Sequence, residues 1–164
     1  MTPLVLARRA DVVEIARMSR DLIEDGLHWA WTPRRVGASI RRRDALVVVA
    51  RTGARIAGFG IMRYGDDEAH LDLLAVRADH RGRGLGAALM RWLEKPALVA
   101  GIATVSLEVR AANQGARAFY ARLGYRECER LPGYYEGREA ALRMRRDLGV
   151  RPPITDFRWT PAPA

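Results

Sequence analysis

Val76-Arg77-Ala78-Asp79-His80-Arg81-Gly82-Arg83-Gly84-Leu85-Gly86-Ala87-Ala88-Leu89-Met90 is the stretch from which the rest of the chain is read. An apolar, strand-like run ends where it starts, a glycine-rich arginine loop follows, and an amphipathic helix begins. Glycines at every second position let the backbone turn tightly and present bare N–H groups. The following helix adds its unpaired first-turn donors and the positive end of its dipole. A junction of this kind binds phosphate or another anion, although the same glycines would also serve a plain strand-to-helix turn. The dinucleotide fingerprint requires Gly-x-Gly-x-x-Gly and the Walker loop requires Gly-Lys-Ser/Thr; neither spacing is met. What stands is Arg-x-x-Gly-x-Gly, from Arg81 to Gly86.

Upstream of the junction, Glu68 to Val76 reads as a strand with the near-continuous apolar character of a covered central position. It follows a meander of Ala45 to Arg51 and Arg55 to Tyr64, joined by a tight turn at Thr52-Gly53-Ala54. Before these come a short strand at Leu4-Val5-Leu6 and a helix from Val12 to about Gly26, with Asp11 and Glu14 spaced as a capping box. A second helix runs from Pro33 to about Arg42, with Thr32 as its cap. Between the helices lies Leu27-His28-Trp29-Ala30-Trp31, an aromatic loop that either lines a pocket through Trp29 and Trp31 or plugs the sheet edge.

Downstream, the helix after Gly84 meets Pro96 and is expected to kink or end near Lys95. Ala103 to Val109 alternates as a strand, and Asn113 and Gly124 bracket a further helix as cap and stop. Here a second pattern accumulates: Leu107-Glu108-Val109-Arg110, then Asn113, then Ala116-x-x-Phe119-Tyr120-x-x-x-Gly124-Tyr125. Together with Arg81 to Gly86 these motifs resemble the two signature regions of the GNAT N-acetyltransferase superfamily, over roughly residues 3 to 148. Gly133-Tyr134-Tyr135 and the last strand, Glu139 to Met144, are similar to the ending of the bacterial ribosomal-protein N-terminal-alanine acetyltransferases.

The resemblance implies an α+β fold: a central mixed, mainly antiparallel sheet, splayed between its two parallel middle strands, with helices on both faces. It implies acetyl-CoA as co-substrate, with no metal. Its pantetheine arm would pair with the free edge of Leu74-Ala75-Val76 as an added strand. Its pyrophosphate would sit on Arg81, Gly82, Arg83, Gly84, Leu85, Gly86 and Ala87, and its adenosine end near Asn113 and Arg117. A backbone N–H near Leu74 or Ala75 would steady the thioester oxygen. Tyr120 matches the family's tyrosine acid for the departing thiolate, against the alternative of a core aromatic beside Phe119. Glu108, His70 and Asp72 are the candidate bases. Glu108 stands where the ribosomal-protein enzymes place theirs, and the alternative is that it merely pairs with an arginine. Period-two alternation puts His70 and Asp72 on one face, where they can act together.

Length and composition bound the remainder. The 164 residues make about one domain, residues 1–148, followed by a proline- and aromatic-containing tail, 149–164, in which Phe157 and Trp159 read as anchors onto the domain or a partner. No apolar run reaches a membrane span and no signal peptide is seen, so a cytoplasmic protein without membrane contact is expected. Cys128 is the single cysteine and reads as a packing residue. The net charge of +9 is spread over every segment, with Lys95 the only lysine, so a nucleic-acid surface is not expected. The expected partners are acetyl-CoA and an amine acceptor. That acceptor is a protein N-terminus held between Trp29, Trp31, Tyr134 and Tyr135, or a small-molecule amine. A non-catalytic module that binds a coenzyme A ester, and a homodimer, stay open.

Overall fold

The computed structural model describes residues 2–149; the tail anchors Phe157 and Trp159 lie outside the described residues. Seven strands form one sheet in the order β1-β2-β3-β4-β5-β7-β6. They are β1 (Leu4–Leu6), β2 (Ala45–Thr52), β3 (Arg55–Tyr64), β4 (Glu68–Val76), β5 (Thr104–Arg110), β6 (Arg126–Tyr135) and β7 (Glu139–Asp147). Every neighbouring pair is antiparallel except β4 and β5, which run parallel. The helices are α1 (Val12–Leu22), α2 (Pro33–Arg41), α3 (Leu85–Ala100) and α4 (Gln114–Arg122). The α+β fold expected from sequence is the one observed.

Two cores cover the two sheet faces, because the strands alternate their side chains between them. Met62, Leu71, Leu89, Leu93 and Leu107 pack with α3 and α4 on one face. Ile15, Val36, Phe59, Ile61 and Leu73 pack with α1 and α2 on the other. The assignment of Leu71 and Leu73 to opposite cores marks a break in the alternation of β4. Met62 stands opposite Leu71 and Ile61 opposite Leu73, leaving Asp72 as the extra residue of a β-bulge.

The parallel pairing of β4 with β5 covers only Glu68, Ala69 and His70 of β4, against Thr104, Val105 and Ser106. Beyond His70 the strands splay, and the β5-facing edge of residues 71–76 has no strand partner. Arg77 N–H bonds the Ala57 carbonyl on the β3 side. Alternation back along β4 therefore turns the Ala75 N–H toward β3 and the Leu74 N–H into the gap.

Local expectations were met unevenly. Asn113 caps α4, its side chain accepting from Ala116 N–H at 3.1 Å. Asp11 does not cap α1: its carboxylate takes Arg8 N–H and Arg51, both at 2.6 Å, and Glu14 reaches across to Ile56 N–H and Arg77. Thr32 occupies the N-cap of α2 without a side-chain bond. Pro96 does not end α3, which continues to Ala100 and is stopped by Gly101 at φ +72°. Ala97 is fully buried and holds the last turn on the core, which outweighs the hydrogen bond that proline cannot donate. Cys128, expected as a packing residue, is instead exposed on the edge strand β6, whose first five residues are all exposed. No helix among the described residues is long and apolar enough to cross a membrane.

Candidate active site

The glycine loop leaves β4 through a single 3₁₀ turn and enters α3. Gly82 and Gly84 take φ of +75° and +76°, which L side chains adopt at a cost, and a Cβ at either would meet nothing within 4 Å. Gly86 is required for a different reason: it lies inside α3, and a Cβ there would stand 3.1 Å from the Phe119 ring. The first hydrogen bond into α3 from its cap runs from Ala88 N–H to the Gly84 carbonyl, so the N–H groups before it face outward from the helix end. These groups open onto a cavity of about 770 Å³, whose walls also take in Leu74, Ala75 and Val76. Arg81 lies in this wall with its Nε fixed 3.0 Å from the Val76 carbonyl. Arg83 and Arg117 are not part of it. Arg117 is committed to Glu127 at 2.8 Å and to the Ala111 carbonyl at 2.9 Å.

A second cavity, of about 570 Å³, lies on the other side of the splay. Leu74, Asn113, Ala116 and Tyr120 belong to the walls of both cavities, so the two meet there. Tyr120 comes from α4, wedged edge-on between Phe119 at 5.0 Å and Tyr125 at 5.7 Å between ring centroids. Its hydroxyl makes no hydrogen bond to the protein among the described residues, and burial pushes its phenol well above the usual range. It stays protonated across the working pH range.

The splay is bridged at its apex by His70. Its Nε2 stands 2.5 Å from Glu108 Oε2 on β5, and its Nδ1 stands 2.7 Å from Asp72, which the bulge brings alongside. Arg63, opposite His70 on β3, grips Asp72 through contacts of 2.8 to 3.0 Å. Arg143, opposite Glu108 on β7, takes Glu108 Oε1 at 3.2 Å and Glu129 at 2.6 Å. The hydrogen bonds to Asp72 and then to Glu108 outweigh burial and push His70 up to about 9. Burial opposes charge on both carboxylates. The His70 and Arg63 bonds on Asp72, and the His70 and Arg143 contacts on Glu108, overcome it and hold both below the usual range. At neutral pH the cluster is an imidazolium between two carboxylates, so His70 has no free ring nitrogen with which to take up a proton. Arg63 and Arg143 went unnoticed in the sequence; counting out from the turn at Gly65-Asp66-Asp67 puts Arg63 opposite Ala69, one residue short of the observed partner His70.

The second cavity is closed by two loops. Glu24 at the end of α1 is buried and takes Ser19 Oγ at 2.8 Å, Ala30 N–H at 2.7 Å and Trp31 N–H at 3.0 Å, fixing the loop that carries Trp31. Trp31 is buried in the cavity wall. Trp29 is not in that wall: its indole N–H donates to the Ala16 carbonyl at 3.2 Å, which pins it against α1. From the other side come Tyr134, Tyr135 and Glu136, and the Glu136 carboxylate accepts from His28 N–H across the opening. Burial pushes Tyr135 up to about 12. Among the described residues no group of His, Cys, Asp and Glu is arranged to hold a metal ion.

A strand edge left open beside a helix N-terminus, joined at a buried tyrosine to a second cavity, is the arrangement of a coenzyme A-dependent acyltransferase. A family profile described as "Acetyltransferase (GNAT) family" matches residues 13–125, and the chain belongs to that family of N-acetyltransferases, which take the acetyl group from acetyl-CoA. It is 37% identical over 115 residues to the Uncharacterized N-acetyltransferase MJ1530 of Methanocaldococcus jannaschii, covering 68% of this chain and 72% of that one. It is 35% identical over 126 residues to the [Ribosomal protein bS18]-alanine N-acetyltransferase of Escherichia coli K12, covering 74% and 84%. The crystal structure of the ribosomal-protein-S18-alanine N-acetyltransferase from Escherichia coli superposes with a TM-score of 0.81 at 27% identity, covering 96% of this chain and all of that one.

Proposed function

We propose that the protein transfers the acetyl group of acetyl-CoA to the α-amine of a peptide or protein N-terminus, by direct attack in a ternary complex. The observation that carries this reading is the meeting of the two cavities at Leu74 and Tyr120. The chain's residues fit acetyl-CoA, which supplies an activated thioester. The unpaired edge of Leu74-Ala75-Val76 receives an extended arm as an added strand. The open space at Gly82 and Gly84 and the N–H groups through Ala87 receive the pyrophosphate. With Arg117 engaged elsewhere, Asn113 is the residue of the proposed adenosine pair that still borders the cavity.

The Leu74 N–H, aimed into the gap, stabilises charge developing on the thioester oxygen. Glu108 holds the α-amine and takes its proton. An α-amino group has a reference pKa of about 7.7–8.0, so a tenth or so is already neutral at pH 7, whereas a lysine amine near 10.4 is almost wholly protonated. The first therefore needs little help from a weak base, whereas the second presents its neutral form some hundreds of times less often. Tyr120 donates to the departing thiolate, at a cost of at least about 2 kcal/mol on reference values, which rises with its burial. Trp31, Tyr134 and Tyr135 wall the peptide's first residue. The activity named for the Escherichia coli relative, on an N-terminal alanine, supports the same class of acceptor.

Acetyl-CoA turnover against a panel of N-terminal peptides, polyamines, aminoglycosides and free amino acids tests the reading. Transfer to peptides is expected, and Glu108→Gln should lose it while still binding acetyl-CoA. Efficient transfer to a small amine with no peptide activity would overturn the acceptor and leave the acetyl-CoA site standing. Failure to bind acetyl-CoA would overturn the whole.

A further inference from the structure

Every carboxylate and every guanidinium in the wall of the acceptor cavity but one is engaged by the protein itself. Glu24 is filled by Ser19 and the loop N–H groups, Glu136 takes His28 N–H, and Asp72 and Glu108 are held by His70 and their arginines. Arg63 is gripped by Asp72, and Arg110 donates to the carbonyls of Ile23 and Asp25. Arg35 differs. Its guanidinium carbon stands 3.9 Å over the Trp31 ring, and among the described residues no carboxylate or carbonyl accepts from its side chain. Stacking on an indole fixes a guanidinium in place while leaving its N–H donors for an in-plane acceptor.

We propose that Arg35 is a specificity residue that takes a carboxylate of the acceptor, supplied by an acidic side chain within the first three residues of the peptide, while Glu108 holds its α-amine. This rests on the N-terminal α-amine reading. Glu108 then meets the ammonium as a carboxylate already bonded to His70 and Arg143, and Arg35 meets the carboxylate as a cation left without an acceptor among the described residues. The protein's net charge of +9 draws acidic chains toward it in the same sense. The carboxylate of a free amino acid has the same chemistry and is the other source to be separated. Arg35 is exposed, so a pair of roughly 1 kcal/mol is the right scale, or about fivefold in kcat/KM.

The test compares peptides that share an N-terminal alanine and carry Glu, Ala or Lys at position two or three, together with free glutamate and alanine, on the wild type, Arg35→Gln and Arg35→Glu. The wild type should favour Glu over Ala about fivefold and disfavour Lys, mainly through KM; Arg35→Gln should flatten the series and Arg35→Glu should invert it. Acetyl-CoA binding to each variant, measured by calorimetry, controls for folding. Equal turnover across the series in the wild type, or an acidic preference that survives in Arg35→Gln, would overturn the inference and leave peptide acetylation intact. Transfer to free glutamate with none to any peptide would overturn the inference together with the peptide reading.

Discussion

His70 is the residue whose surroundings change its chemistry most. As a lone histidine on a strand it reads as a base, since its reference pKa of about 6.5 lies close to neutrality. Its two carboxylate neighbours raise it to about 9, so it is charged at neutral pH and holds Glu108 in place. The raised value makes a stability prediction with a definite sign. A group bound more tightly to its proton when folded contributes fully below its unfolded pKa of about 6.5, and that contribution disappears as pH rises through about 9. The wild type should therefore exceed His70→Gln in urea midpoint at pH 6 and converge toward it by pH 10; a constant gap across that range would contradict the clamp. The proposed proton donor, Tyr120, makes a second prediction. Tyr120→Phe should lower kcat by roughly 10²-fold or more, with the loss in kcat rather than in acetyl-CoA affinity, as steady-state kinetics and calorimetry would show. Glu108 and Tyr120 were picked out in the sequence by the resemblance to the GNAT signature regions, and His70 by that resemblance together with the strand alternation that pairs it with Asp72. That Glu108 pairs with an arginine was an open alternative, but which arginine was not legible, since one arginine in a chain with 28 basic residues carries little signal by itself.

At the scale of elements, α4 and the glycine loop were legible because caps and positive-φ turns are written in residue types. Asn113, Gly84 and Gly124 stand where such residues belong. Asn113 borders both cavities, so its cap has to be separated from contact with acetyl-CoA. Asn113→Ala should cost about 1 kcal/mol of stability in chemical unfolding, whereas Asn113→Ser keeps an oxygen for Ala116 N–H and should restore most of it. If acetyl-CoA affinity recovers with the serine, the residue acts through the helix. Gly84→Ala introduces no clash and only a strained left-handed residue, so it should cost about 1 kcal/mol and weaken acetyl-CoA binding by displacing the N–H groups of the loop. What the elements concealed was conflict between local and tertiary terms. Pro96 announces a helix end, yet burial of Ala97 carries α3 past it. The bulge at Asp72 leaves no mark in β4, where polar and apolar residues alternate without interruption at that point.

For the whole molecule, the decisive feature is a parallel pair that separates after three residues. Between antiparallel neighbours on both sides, β4 and β5 part at His70 and leave a strand edge, a helix end and a tyrosine converging on one gap. The parallel middle pair came from the resemblance, and the order of the seven strands was not read at all, since hydrophobic periodicity locates strands without ordering them. The acceptor cavity was less legible, because it is assembled from loops whose contacts are long-range: Glu24 with Trp31, and Glu136 with His28 N–H. Trp29 and Trp31 look equivalent in sequence, and only the fold sends one to α1 and the other to the cavity. The central claim is that this gap passes an acetyl group to an α-amine and not to a lysine. The most direct measurement is mass-spectrometric localisation of the acetyl group on one peptide carrying both a free N-terminal alanine and an internal lysine, after incubation with the protein and acetyl-CoA at pH 7. The account predicts a single acetyl group, on the N-terminal nitrogen, absent with Glu108→Gln; acetylation at the lysine with the N-terminus untouched would contradict it.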